Sequence, residues 1–257
     1  MSYENLIYEK NDRIATVTFN RPETLNAFSP GMGEELTAVF DEMEQDDDVV
    51  VTVLTGVGRG FSAGANMKDP NTHALDAVAD GMKRQPTRFN YLWDYRKVLI
   101  GAINGYAYGA GMNMVLSCDI IIASTAARFS LPASKLGIVH NGPAGNALAL
   151  FVGKAKASEM YIMSRAIDGE DAYHWGLANK VVPPDQLLPE AMAWAEEIAA
   201  LAPLSLRLIK EDLKESFDHH FNYGANRLRA TMSHMTEDRE EGHRAVREKR
   251  APIFKGR

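Results

Sequence analysis

Residues 49–54 read VVVTVL, and no other stretch constrains the fold as strongly. A strand with one wet face alternates apolar and polar residues, whereas a nearly unbroken apolar run is expected of a parallel strand covered on both faces. Residues 98–103 and 119–123 read as further strands. Helical patterns accompany them: Leu36, Val39, Phe40 and Met43 recur at helical spacing along 33–45, ahead of the first strand, and 110–118 is a short apolar helix between the other two. Strands alternating with helices predict an α/β core with parallel strands. Upstream, 13–19 follows a polar turn at Asn11 and Asp12 and reads as the second strand of a hairpin, closed by Pro22. Downstream, helices dominate: 144–152, 158–163, 169–175, 187–201, and one opened by Pro203 and running to about Phe217. No repeat of solenoid period is visible. Residues 68–85 carry the least pattern and read as a mobile segment near a site.

Composition then narrows the function. A chain of 257 residues can bury one large core or two small ones. With 28 Lys+Arg against 34 Asp+Glu the formal charge is −6, which argues against nucleic acid as a partner. Cys118 is the only cysteine, so no disulfide can form within the chain, as suits a reducing compartment. The N-terminus, MSYENLIYEKNDR, lacks the apolar core of a secretory signal. No apolar run approaches the ~20 residues of a membrane helix. The expectation is a soluble cytoplasmic protein with no membrane partner.

Two glycine-rich turns carry the first functional signal. Residues 58–67, GRGFSAGANM, follow the buried strand, and residues 104–113, NGYAYGAGMN, follow the next strand and run into a helix. Small residues let a ligand approach the backbone, and N–H groups there and at a helix start are free to donate. Two such turns on neighbouring strands can aim two N–H groups at one oxygen, as an enolate or tetrahedral oxyanion requires. Either turn alone is more often a tight connection than a site. The second lacks the glycine spacing of a dinucleotide fingerprint.

The strings NRPETLNAFS, LTGVGRGFSAGANM, AINGYAYGAGMNMVLSCDIIIAS and ARFSLPASKLGI resemble the crotonase (enoyl-CoA hydratase/isomerase) superfamily. So do VGKAKASEMYIMSRAIDGEDAYHWGLANKVVP and the tail EKRAPIFKGR, and the resemblance spans nearly the whole chain in order. It implies a crotonase-like spiral of repeated ββα units over residues 1–200 and a helical trimerisation region over 201–257. It also implies homotrimers or dimers of trimers acting on acyl-CoA thioesters, with coenzyme A as part of the substrate and no prosthetic group. The implied oxyanion donors are the N–H groups of Ala65 and Ala110. The implied coenzyme A contacts fall on Leu25, Ala27, Ala63, Ala65, Asn66 and Met67, with Phe254 and Lys255 from the tail.

The sequence departs from that pattern at two positions. The resemblance places hydratase glutamates at Asn113, two residues after Gly111, and at Ala133, after Pro132. Asn113 can orient water or hold a carbonyl or carboxylate but cannot shuttle a proton, and Ala133 only shapes the pocket. The nearest replacement is the segment 137–145, GIVHNGPAG, which carries His140 as a candidate acid or base and Asn141 as a pocket residue. Three functions follow: an enoyl-CoA hydratase/isomerase-type lyase using Ala65, Ala110, Asn113 and His140; a decarboxylase or C–C or thioester hydrolase on the same fold; or a catalytically silent acyl-CoA-binding trimer. Other groups read as structural. His73 is a loop residue, His219 and His220 lie on a surface, and His174 and Trp175 pack around Gly176. Cys118 is buried and inert, Asp119 accepts from backbone donors, and Tyr91, Trp93 and Tyr95 wall either a pocket or the core. No metal-ligating cluster stands out.

Overall fold

The structure is a computed structural model that describes residues 3–66, 92–140, 144–218, 231–232 and 234–255. Met67, residues 68–85 with His73, Tyr91, Asn141, His219 and His220 lie outside the described residues.

The apolar strands assemble as their composition requires. β1 (Leu6–Asn11) and β2 (Ile14–Phe19) form an antiparallel hairpin. β2 then runs parallel to β3 (Val51–Gly56), β3 to β5 (Val98–Ile103), β5 to β7 (Ile120–Ser124), and β7 to β10 (Lys180–Val182). Both faces of this sheet are covered. Val51, Val53, Ile100 and Ala102 pack with Leu187, Ala191 and Ala195 of α5 (Leu187–Ala199). Leu54, Leu99 and Ile103 face the other core, with Phe40 and Met43 of α1 (Pro30–Gln45). Thr52 turns inward too, and its hydroxyl meets the Tyr95 hydroxyl at 2.9 Å. Tyr95 sits edge-on to Phe40, so it belongs to the core.

A second sheet has the order β4 (Gly60–Ser62), β6 (Tyr106–Tyr108), β8 (Arg128–Ser130) and β9 (Ile167–Asp168). Its first three strands are parallel, and β9 is antiparallel to β8. Each successive unit thus gives one strand to each sheet: β3 then β4, β5 then β6, β7 then β8. A helix follows the last two pairs, α2 (Ala110–Leu116) and α3 (Ala144–Tyr161). Winding repeated strand pairs in this way builds the mixed α/β spiral and leaves the β4 and β6 exits side by side.

Helix ends show where local chemistry overrides the apolar pattern. α1 begins at Pro30, three residues before the apolar spacing places it. Ser29 caps it by accepting the Met32 N–H at 3.3 Å, and Pro30 is tolerated in the first turn, where no N–H partner exists. α3 is broken at Gly153, just after residue 152 as expected, but the chain resumes its helix at once and runs to Tyr161 rather than from 158 to 163. α4 (Gly169–His174) is capped by Asp168, and α6 (Pro203–Asp218) opens on its proline as expected. α7 (Glu237–Glu248), capped by Thr236, lies against the 3-10 turn Ser134–Leu136. A side-chain carbon at Gly242 would come to 2.6 Å from the Leu136 carbonyl carbon. Among the described residues no helix is long and apolar enough to cross a membrane.

Candidate active site

The first turn leaves β4 and runs beside residues 25–28. Ala63 N–H donates to Leu25 O (2.9 Å), Phe28 N–H to Gly64 O (2.7 Å), and Asn66 N–H to Phe28 O (3.0 Å). These bonds bring Leu25, Ala27, Ala63 and Asn66 into one strip. They pass over the N–H of Ala65, which is exposed.

What holds the strip is a residue that sequence reasoning missed. Asn26 is fully buried; its Oδ1 accepts the Arg21 N–H (2.7 Å) and its Nδ2 donates to Val57 O (3.0 Å) and Gly60 O (2.7 Å). Ser62 Oγ donates back to Asn26 O at 2.8 Å. Leu25 and Asn26 both hold left-handed φ, at 54° and 56°. An asparagine tolerates that conformation, and this was the available signal.

The second turn leaves β6 through Gly109, whose φ of 53° and ψ of −109° suit glycine alone. Gly109 N–H donates to Ser130 O (3.0 Å), and Gly109 O accepts the Asn113 N–H (3.1 Å). Ala110 is the first residue of α2, so its N–H has no partner within the helix. Among the described residues no hydrogen bond engages the N–H of Ala65 or of Ala110. The two turns touch through their glycines. A side-chain carbon at Gly64 would lie 2.6 Å from Tyr108 O and 3.4 Å from Ala110 N.

His140 reaches the same place. A side-chain carbon at Gly109 would lie 3.4 Å from His140 Cε1 and 4.0 Å from Gly64 Cα. The His140 N–H donates to Tyr161 Oη (2.9 Å), and the two rings stack at 6.0 Å with 18° between their planes. His140 Nε2 is buried and has no hydrogen-bond partner among the described residues. Burial, and secondarily the charge of His234, hold its pKa down to about 4, so the imidazole is neutral at pH 7.

Asn113 is buried one turn inside α2, and its carbonyl accepts Ser117 Oγ at 2.9 Å. Ala133 is buried just past β8, at the start of the turn that carries His140. The tail is held by α7. Lys255 N–H donates to Asp238 Oδ1 (2.6 Å), its Nζ lies 3.3 Å from Glu237, and Ile253 N–H donates to Glu241 Oε1 (2.8 Å). No hydrogen bond among the described residues joins Phe254 or Lys255 to residues 25–28 or 63–66.

Asp119 and Cys118 are bonded within the fold. Asp119 Oδ2 accepts the Leu99 N–H (2.8 Å) and pairs with Lys210 (2.7 Å). Cys118 Sγ donates to Met114 O (3.3 Å), and burial pushes its thiol up. Lys156 lies 4.2 Å over the Trp175 ring, and Tyr173 meets His174 edge-on. Trp93 walls a separate cavity of about 160 Å³, beside the C-terminal end of α2.

A spiral of strand pairs whose two glycine turns meet, each with an unengaged N–H, defines the crotonase superfamily as the class. The enoyl-CoA hydratase/isomerase family model matches residues 9–257. The chain is 34% identical over 258 residues to a probable enoyl-CoA hydratase of Mycobacterium bovis, covering 99% of both chains. It is 35% identical over 254 residues to the 2,3-dehydroadipyl-CoA hydratase of Escherichia coli, covering 98% of this chain and 99% of that one. The crystal structure of carnitinyl-CoA hydratase from Mycobacterium avium superposes with a TM-score of 0.85 at 27% identity over all of both chains. The chain therefore belongs to the enoyl-CoA hydratase/isomerase family and is an acyl-CoA enzyme of that type.

Proposed function

We propose that the protein binds an acyl-CoA thioester with its carbonyl oxygen between the N–H groups of Ala65 and Ala110 and stabilises the enolate formed there. His140 is the acid/base group, and Asn113 positions water or substrate. Leu25, Ala27, Ala63, Ala65, Asn66 and Met67, together with Phe254 and Lys255, contact coenzyme A, while Ala133 and Asn141 shape the acyl pocket. One observation carries this reading: an imidazole packed against the second turn, with Nε2 buried and without a partner among the described residues.

Its protonation state supports the role. A neutral imidazole whose conjugate acid has a pKa of about 4 binds a proton about as tightly as a glutamate carboxylate does. His140 can thus take an α-proton where the family resemblance places glutamates and this chain has Asn113 and Ala133. After accepting that proton it becomes a strong acid and returns it. The same property disfavours a reading in which His140 is the resting proton donor of a decarboxylase, since at pH 7 only about one molecule in a thousand carries the proton. Oligomerisation finds support in α6, which exposes Leu204, Leu208, Ile209 and Leu213.

Deuterium exchange at the α-carbon of butyryl-CoA in D2O tests the reading directly. The wild-type chain is expected to catalyse exchange, and His140→Ala to slow it roughly 100-fold or more while binding butyryl-CoA normally. Full exchange by His140→Ala would overturn the role of His140. A wild-type chain that binds no acyl-CoA in calorimetry would overturn the whole reading.

A further inference from the structure

We infer that Tyr161 is the positioning residue of the acid/base group, fixing His140 over the second turn through its hydroxyl and its ring. The inference rests on the proposed role of His140. Residue 140 lies in irregular chain, where neither a helix nor a ladder satisfies its main-chain N–H. Among the described residues His140 makes one hydrogen bond, from that N–H to Tyr161 Oη at 2.9 Å. This N–H is part-buried, so removing the hydroxyl leaves it short of a partner and drives the segment to move towards water. The phenol ring, nearly parallel to the imidazole, fixes the tilt that sets Cε1 beside Gly109.

Tyr161 ends α3, and the residues after it hold the same segment. Ser134 Oγ donates to Ile162 O (2.8 Å) and meets Ser164 Oγ (2.8 Å), while Lys135 Nζ reaches Ser164 O (3.4 Å). The start of the segment is therefore held at Ser134 and its end at His140, both by residues 161–164. His234 faces the imidazole from the C-terminal region. Among the described residues, Tyr161 and His234 are the titratable groups that act on the imidazole. The oxyanion donors and the strip at 25–28 rest on other bonds than those of Tyr161.

The test compares Tyr161→Phe, which keeps the ring, with Tyr161→Leu, which removes both features. Exchange of the butyryl-CoA α-hydrogen and NMR titration of the His140 Cε1–H are the readouts. Tyr161→Phe is expected to lower kcat for exchange roughly 10-fold with KM unchanged, and Tyr161→Leu roughly 100-fold, the loss a displacement of about 1 Å brings. The His140 midpoint is expected to rise from about 4 towards the unperturbed value near 6.5 as water reaches the ring. Wild-type kcat and an unmoved midpoint in Tyr161→Phe would overturn the inference. That outcome leaves the role of His140 intact if His140→Ala is still inactive. An active His140→Ala would remove that role, and a shifted midpoint would still show that Tyr161 holds the imidazole.

Discussion

Replacing Gly64 by alanine tests whether contact between the two turns creates the site. Gly64 has a φ of 90°, where an L side chain is strained by about 1–2 kcal/mol. The new carbon would also sit 2.6 Å from the backbone oxygen of Tyr108, and relieving such an overlap costs a further 1–3 kcal/mol, roughly. The expected destabilisation is therefore about 2–5 kcal/mol. Gly153 separates the two contributions. Its φ is 73°, but nothing lies within 4 Å of a carbon placed there, so Gly153→Ala should show strain alone, about 1–2 kcal/mol. Urea unfolding of both variants, followed by tryptophan fluorescence, gives the difference. In folded Gly64→Ala the turns must separate, carrying Ala110 N away from Ala65 N. Losing one oxyanion donor costs roughly 100- to 1000-fold in rate, so butyryl-CoA exchange should fall by that order. If Gly64→Ala is no less stable than Gly153→Ala, or exchanges at the wild-type rate, the two turns are not coupled as described.

Two further outcomes follow from buried polar groups. Asn26→Ala strands the Arg21 N–H and the Val57 carbonyl and leaves Gly60 O with Asn104 Nδ2, so calorimetric affinity for coenzyme A should fall and unfolding free energy drop by about 2–4 kcal/mol; unchanged affinity would detach the strip from binding. His140, with a folded pKa of about 4 against an unfolded value near 6.5, resists a proton that the unfolded chain takes. Stability should be full above about pH 6.5 and be lost as the pH falls towards 4, by up to about 3 kcal/mol, a loss that His140→Gln removes. Exchange activity should stay level from about pH 8 down to about pH 5, and an acid limb centred near 6.5 would show the imidazole to be hydrated.

The buried strands were legible because covering both faces demands an unbroken apolar run. Residues 98–103 and the helix from Pro203 stand where their composition places them. The second sheet was not legible, since β4, β6 and β8 have three residues each and β9 two, too short for any period to show. The repeat was hidden by unequal spacing: Val51 pairs with Val98, but Ile100 pairs with Ile120. In the site, the turns at Ala65 and Ala110 could be read from glycine, while their meeting at Gly64 and Tyr108 is a tertiary fact. Tyr161 gave no local signal, because its partner lies on a different element.

These distant partners explain how an ordinary loop histidine becomes a base of carboxylate strength. Nothing within the segment GIVH lowers a histidine pKa; burial does, and burial comes from elsewhere. The end of α3 supplies Tyr161, the C-terminal region supplies His234, and α7 closes on Leu136 through Gly242. Loosening any of these admits water, raises the imidazole pKa and leaves part of it protonated at pH 7, unable to accept the α-proton. Packing of the C-terminal helix and chemistry at Gly109 are on this account one property, because the proton affinity of His140 is the quantity through which both act.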